Sequence, residues 1–174
     1  MKKLITLFVL FLSIGIANAQ TKEETIKWLT EKMMSPDFLK ASYAKFEVSS
    51  VEFDENYLTI VGMTKTSEYD RKWSLYTDTY SYETYTIDLS KTSVSNGAFI
   101  SDGNYIKLKY RIVEYTGMRK DELFKGDESS EEYFRNNTEL RVNYSFEPDI
   151  VERFSKAIEH YKTLMSVKKS TETF

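Results

Sequence analysis

Residues 147–165 read EPDIVERFSKAIEHYKTLM, and this stretch predicts the helix around which the fold is built. We expect the helix to run from Pro148 to about Met165, because proline is tolerated in a first helical turn, where its missing N–H costs nothing. Its apolar residues recur with a period near 3.6. They are Ile150, Val151, Phe154, Ala157, Ile158, Tyr161, Leu164 and Met165. This C-terminal helix is therefore amphipathic and buries one face.

An alternating strand pattern comes directly before this helix. Apolar Leu140, Val142, Tyr144 and Phe146 alternate with polar residues, as in a half-buried strand. We expect the helix to lie across the sheet. The predicted core contacts place Phe154, Ile158 and Tyr161 against Leu108, Tyr110, Val142 and Tyr144.

A second helix is predicted at residues 21–34. It opens with Thr21-Lys22-Glu23-Glu24, a capping box in which the Thr21 side chain and the Glu24 side chain bond each other's backbone amides. Ser35-Pro36 then ends it, because the residue before a proline is driven out of the helical region.

Residues 43–112 favour strands. Ala44, Phe46 and Val48 change phase at Ser49-Ser50, which predicts a bulge or a bend. A turn at residues 54–56 leads to a return strand over residues 57–63. Residues 73–89 form one long strand or two. A further strand is predicted where Ile106, Leu108, Tyr110 and Ile112 alternate with polar residues. The acidic residues 116–138 are predicted to leave the sheet as a loop that can include a short helix. The expected fold is α+β: an antiparallel curved sheet or a barrel of five to seven strands, with an N-terminal helix and a packed C-terminal amphipathic helix.

Residues 1–19 have the pattern of a signal peptide. Lys2 and Lys3 precede an apolar run from Leu4 to Ile16, and Ala17-Asn18-Ala19 fits the small-x-small rule for cleavage. The run is shorter than the roughly 20 residues that span a bilayer. We therefore expect secretion or release into the periplasm, with residues 20–174 forming a single α+β domain and no membrane span left after cleavage.

Composition narrows the classes of function. The chain has 174 residues, no cysteine and a net charge of −3. Loss of Lys2 and Lys3 would leave 22 basic against 27 acidic residues, a net charge of −5, which disfavours nucleic acid as a partner. The lack of cysteine excludes disulfides, a cysteine nucleophile and thiolate metal sites.

Three segments carry a resemblance. The stretch Ala17-Asn18-Ala19-Gln20, the helix sequence KEETIKWL at residues 22–29 and the helix sequence ERFSKAIEHYK at residues 152–162 resemble small, uncharacterised exported proteins of the Bacteroidota. The order of the elements, several strands closed by one amphipathic helix, is similar to that of a pleckstrin-homology-like (PH-like) barrel. This second resemblance implies a fold and carries over no binding residue.

The sequence predicts no catalytic set, no cofactor and no metal site. The one histidine, His160, lies off the apolar stripe of the C-terminal helix, and no Gly-x-Ser-x-Gly, Walker or dinucleotide motif is present. The acidic residues Asp127, Glu128, Glu131 and Glu132 lack the spacing and the central glycine of an EF-hand loop. They are typical of a solvated segment.

Aromatic residues give the one candidate binding site. The chain contains 13 Tyr, 11 Phe and 2 Trp, and we predict that Trp73, Tyr76, Tyr80 and Tyr82 contact a protein, peptide or glycan partner. The competing interpretation is that tyrosine simply favours strands. The sequence thus favours an exported, non-enzymatic binding module. A small hydrolase that uses two carboxylates, or a structural or stress protein of the cell envelope, are the alternatives.

Overall fold

A computed structural model describes residues 21–41, 44–138, 140–143 and 145–171. The predicted signal peptide, and the predicted contacts of Tyr144, lie outside these residues. The described chain is an α+β fold with an N-terminal helix, strands and a C-terminal helix, as predicted. In chain order its elements are α1 (Lys22–Met33), β1 (Leu39–Ala41), β2 (Ala44–Asp54), β3 (Tyr57–Asp70), β4 (Leu75–Asp88), β5 (Thr92–Ser95), β6 (Ala98–Ser101), β7 (Ile106–Gly117), β8 (Phe124–Arg135), β9 (Leu140–Val142) and α2 (Ile150–Thr171).

Seven strands form one antiparallel, curved sheet in the order β8-β7-β4-β3-β2-β1-β9. The two end strands, β8 and β9, do not pair with each other, so the sheet is open rather than a closed barrel. Strands β5 and β6 form a separate hairpin that turns at Asn96-Gly97. The pairing of β2 with β3 shifts register between Val48 and Ser50, which confirms the predicted bulge.

Helix α1 begins as its sequence predicts. The Thr21 hydroxyl accepts from the Glu24 amide at 3.1 Å, and the Glu24 carboxylate accepts from the Thr21 amide at 2.9 Å. Leu29 and Met33 are fully buried in the core. The Arg153 guanidinium lies over the half-buried ring of Trp28, 5.6 Å from its centroid, and links α1 to α2.

Helix α2 starts later than predicted. Asp149 has a φ of 57°, which is not helical, so the helix begins at Ile150 and Pro148 precedes it in a turn. Glu147, just before the helix, forms ion pairs with Lys32 and Arg153. The strand predicted through residue 146 ends at Val142, because the chain turns at Asn143, whose amide donates to the Phe38 carbonyl.

The stripe of α2 is buried in the core cluster that also contains the predicted partners Leu108 and Val142, with Tyr110 packed against it. Phe154, Ile158 and Tyr161 are buried, as expected. Phe154 packs edge-on against Phe38 and Phe99, at centroid distances of 5.8 and 6.0 Å. Helix α2 also contacts α1 and the β5–β6 hairpin, which were not among the predicted partners.

The prediction of a loop at residues 116–138 is wrong. This segment contains β8, a strand of 12 residues that pairs with β7 and is exposed along most of its length. With both faces exposed over residues 124–132, the strand has no apolar alternation for a sequence pattern to reveal. Backbone pairing with β7 holds it in place, together with the ion pairs Lys107–Glu132 and Arg111–Glu128.

The helices cover only part of the sheet. Leu58, Ile60, Tyr85 and Ile87 are buried beneath them, and we call this side the core face. The opposite side, the outer face, carries the alternating residues of the same strands. Neither helix in the described ranges is long and apolar enough to cross a membrane.

Candidate functional site

The outer face is the candidate site, because strand register gathers aromatic and charged side chains on it. In one row across the sheet, Met63 of β3 pairs with Tyr82 of β4, which pairs with Arg111 of β7. In the next row on this face, closer to the β3–β4 turn, Lys65 of β3 pairs with Tyr80 of β4. Residues paired directly in antiparallel strands have Cβ atoms about 4.5–5.5 Å apart, so these side chains interact.

A groove of about 680 Å³ lies on this face. Its floor includes the apolar side chains of Val61 and Met63 with Thr84 and Tyr82 beside them. Charged residues stand at its two margins. They are Lys109 and Arg111 on β7 and Glu47 on β2. The groove can therefore take a ligand that is apolar in the middle and charged at its ends.

Arg111 is held over the ring of Tyr82. Its guanidinium carbon lies 4.7 Å from the ring centroid, and its Nη1 lies 3.4 Å from Glu128 Oε1. Cation–π attraction fixes a guanidinium on an aromatic face. Because Tyr82 is 37% exposed, the pair presents both a ring edge and a positive charge to the groove.

An ion pair between the partly exposed Lys65 and the buried Asp78 supports the rows next to the groove. Lys65 Nζ lies 2.6 Å from Asp78 Oδ2, and Ser67 Oγ donates to Asp78 Oδ1 at 2.6 Å. Asp78 is 5% exposed. Its hydrogen bond with Lys65, and then that with Ser67, lowers the pKa of Asp78. The hydrogen bond with Asp78, and to a lesser extent that with Tyr80, raises the pKa of Lys65 to about 12. Both groups are thus charged at neutral pH.

The predicted site residues fall into two groups. Tyr76, Tyr80 and Tyr82 lie on the outer face of one strand, β4, which residues 75–88 form without a break. Tyr82 lines the groove, whereas Tyr80 packs edge-on against Tyr115 at 5.5 Å and Tyr76 lies 4.5 Å from Tyr69, centroid to centroid. Tyr85, on the same strand, is buried on the core face.

Trp73 does not belong to this face. It lies in the β3–β4 turn, is 64% exposed and has the Lys72 ammonium 5.0 Å from its ring centroid. Its amide and that of Lys72 donate to Asp70 Oδ1, which fixes the turn. The prediction that groups Trp73 with Tyr76, Tyr80 and Tyr82 is therefore wrong for Trp73, which lies in the turn and not on the outer face of β4.

The carboxylates near the groove have roles in holding structure. Asp78 is the buried one on the outer face, and its pKa is lowered, which is opposite to the shift that a general acid needs. Glu83 faces the other way and accepts from the Tyr85 hydroxyl at 2.5 Å. The acids of β8 point to both of its sides: Glu128 and Glu132 pair on the outer face, whereas Glu131 lies opposite Tyr110.

Comparison of the chain with protein-family models, with curated proteins and with solved structures finds no match.

Sequence reasoning missed several residues of this site. Lys65, Asp78, Met63 and Arg111 come from three strands, β3, β4 and β7, and no local motif joins them. The usable signal was the alternation within each strand. Within β7, Lys109 and Arg111 alternate with Leu108 and Tyr110, which places the two cations on the other face of the strand, toward solvent.

Proposed function

We propose that the protein is an exported, non-enzymatic binding module and that its ligand lies in the groove beside Tyr82 and Arg111. The observation that carries the proposal is the uncovered outer face, where a groove of about 680 Å³ has an apolar floor and charges at both margins. Binding sites commonly combine an apolar surface with a few fixed polar groups that orient the ligand.

The chemistry of the groove favours a peptide segment of another protein over a sugar. Sugars stack on uncovered ring faces, but Arg111 covers one face of Tyr82, and Lys65 lies 4.9 Å from the centroid of Tyr80. A peptide offers apolar side chains for Val61 and Met63, together with acidic and basic side chains for the two margins. Aromatic and arginine side chains also dominate the binding energy of many protein interfaces.

Two features support a binding role over hydrolysis by paired carboxylates. The buried Asp78 is ionised and tied to Lys65 and Ser67, so it holds no proton to donate. Glu47, the acid at the groove margin, is exposed and lies 3.8 Å from Lys45. A general acid of a glycosidase requires a raised pKa.

The proposal is tested by screening peptide and glycan arrays with the wild-type protein and with a Tyr82→Ala, Arg111→Ala double variant. We expect peptides with apolar centres and charged ends to bind the wild type, and the double variant to lose at least about tenfold in affinity, since truncating interface anchors costs 1 kcal/mol or more. The matched control is Tyr57→Ala, Lys91→Ala, which removes the same types of side chain from exposed positions outside the groove lining.

The control should bind like the wild type. Equal loss in the two double variants would place the site elsewhere. Binding of glycans alone would replace the peptide proposal, and turnover of any bound probe would refute the non-enzymatic role.

A further inference from the structure

The free end of the sheet forms a second exposed feature, which we call the tip. It consists of the β3–β4 turn at residues 71–74 and the β7–β8 loop at residues 118–123, with the residues that flank them. Strands β4 and β7 pair with Tyr76 opposite Gly117, so the turn and the loop leave the sheet side by side. The helices pack near the other end, against each other, β2 and β5. The tip therefore projects from the body of the fold.

Three large apolar side chains on the tip are unusually exposed. Trp73 is 64%, Phe124 is 74% and Met118 is 78% exposed. Single exposed apolar residues are common on protein surfaces, but several at one end point to a partner. Each of the three has a cation as its neighbour in sequence, in the dipeptides Lys72-Trp73, Met118-Arg119 and Phe124-Lys125.

The charge of the tip is opposite to that of the chain. Residues 70–75 and 117–125 contain five cations (Arg71, Lys72, Arg119, Lys120 and Lys125) and three anions (Asp70, Asp121 and Glu122), a net charge of +2. The whole chain has a net charge of −3. Asp70 is also occupied by the amides of the turn. Arg119 pairs with Glu122 and Lys125 with Glu128. Arg71, Lys72 and Lys120 thus supply the positive charge around the apolar groups.

We propose that the tip docks on the headgroup region of an anionic lipid bilayer. Trp73, Met118 and Phe124 would enter the interface, where amphipathic aromatic rings are stabilised, while the cations contact anionic headgroups. Apolar side chains on a projecting turn and loop can enter without desolvating the sheet behind them. A protein partner would instead need a concave surface for these side chains. The inference is independent of the groove and its ligand.

The test uses residues 20–174, because every element that the structure describes lies in residues 21–171 and the apolar residues 4–16 would bind bilayers by themselves. In a Trp28→Phe background, Trp73 is the only tryptophan and reports on its own surroundings. With vesicles of phosphatidylglycerol and phosphatidylcholine, we expect a blue shift of Trp73 emission and co-sedimentation. Binding to phosphatidylcholine alone, or in high salt, should be weaker by about tenfold or more.

Two pairs of variants separate the tip from the rest of the surface. Met118→Ser with Phe124→Ser should weaken vesicle binding by about tenfold, because apolar burial is lost. The matched control, Ile100→Ser with Phe134→Ser, changes exposed apolar residues away from the tip and should bind normally. Arg119→Glu with Lys120→Glu should abolish binding, whereas Lys40→Glu with Lys91→Glu, an equal change in net charge, should not.

The result that would overturn the proposal is equal binding by the tip variants and their controls, or no blue shift of Trp73 with anionic vesicles. Equal binding to neutral and anionic vesicles would overturn the role of the cations. Thermal melts of all variants check that the fold is intact, so that a loss of binding reports on the tip.

Discussion

Lys65 Nζ lies 2.6 Å from Asp78 Oδ2 on the side of the sheet that no helix of the described chain covers, yet Asp78 is only 5% exposed. The ring of Tyr80, 4.9 Å from the lysine ammonium, helps to enclose the pair. A buried charge is costly unless it is paired and hydrogen-bonded. This ion pair therefore fixes the register of β3 against the part of β4 that carries Tyr76, Tyr80 and Tyr82.

Replacing Asp78 with Asn should lower stability near neutral pH. The folded pKa of Asp78 is below its usual value, so its contribution is present above the unfolded pKa of about 3.8 and is lost as pH falls through the lower folded value. The pKa of Lys65 is raised to about 12, so its contribution persists up to about 10.5 and is lost as pH rises through about 12. Urea midpoints of the wild type and Asp78→Asn should therefore differ at neutral pH and converge in acid. The exposed Asp102→Asn serves as control, and equal midpoints of all three proteins at neutral pH would contradict the role of Asp78.

Gly62 leaves room for the Phe46 ring on the core face. A Cβ at Gly62 would lie 2.4 Å from Phe46 Cε1 and 2.7 Å from the Glu47 carbonyl oxygen. Gly62→Ala should thus cost about 1–3 kcal/mol of unfolding free energy through overpacking. Gly126→Ala, whose Cβ would meet no atom closer than 3.5 Å, is the matched control. In a double-mutant cycle, Phe46→Leu should relieve part of the cost of Gly62→Ala, and strict additivity would show that the ring is not the obstacle.

The sequence predicts those elements whose signal is local or has a buried face. The capping box from Thr21 to Glu24 and the phase change at Ser49-Ser50 are local, and both predictions are confirmed. Strand β8 has no buried face, so no alternation marked it, and its pairing with β7 depends on backbone hydrogen bonds. The residues of the candidate site also fall into those that local spacing predicts and those that depend on pairing between strands. The shared face of Tyr76, Tyr80 and Tyr82 follows from their spacing, but the position of Arg111 over Tyr82 requires the register between β4 and β7.

Phe154 should be among the side chains that stabilise the fold most. It is fully buried and contacts both Phe38 and Phe99, which belong to different parts of the chain. Phe154→Ala should lower the unfolding free energy by about 3–5 kcal/mol in denaturant melts. Phe134→Ala, at a site 58% exposed, should change it by no more than about 0.5 kcal/mol. A loss under about 1 kcal/mol for Phe154→Ala would mean that α2 is peripheral to the core.

Export predicts a defined N-terminus. Cleavage after Ala19 would give a chain that begins at Gln20, one residue before the Thr21 cap of α1. Mass spectrometry of the protein from its native host should find that terminus in the periplasmic or secreted fraction. Replacing Ala17 and Ala19 with bulky residues should block processing, because the peptidase requires small side chains at both positions. A cytoplasmic protein that retains Met1 would refute export.

The acidic residues of β8 should oppose pairing between copies of the chain. The outer edge of this 12-residue strand has no partner strand in the described structure. Antiparallel self-pairing centred on Ser129 and Ser130 would place Glu128 opposite Glu131 and Asp127 opposite Glu132, and such like-charge pairs are destabilising. Asp127→Asn with Glu131→Gln should therefore increase self-association in sedimentation runs at rising concentration. Glu52→Gln with Glu68→Gln makes the same change in net charge away from this edge and should leave the mass unchanged. An equal increase in both double variants would assign the effect to net charge rather than to the edge of β8.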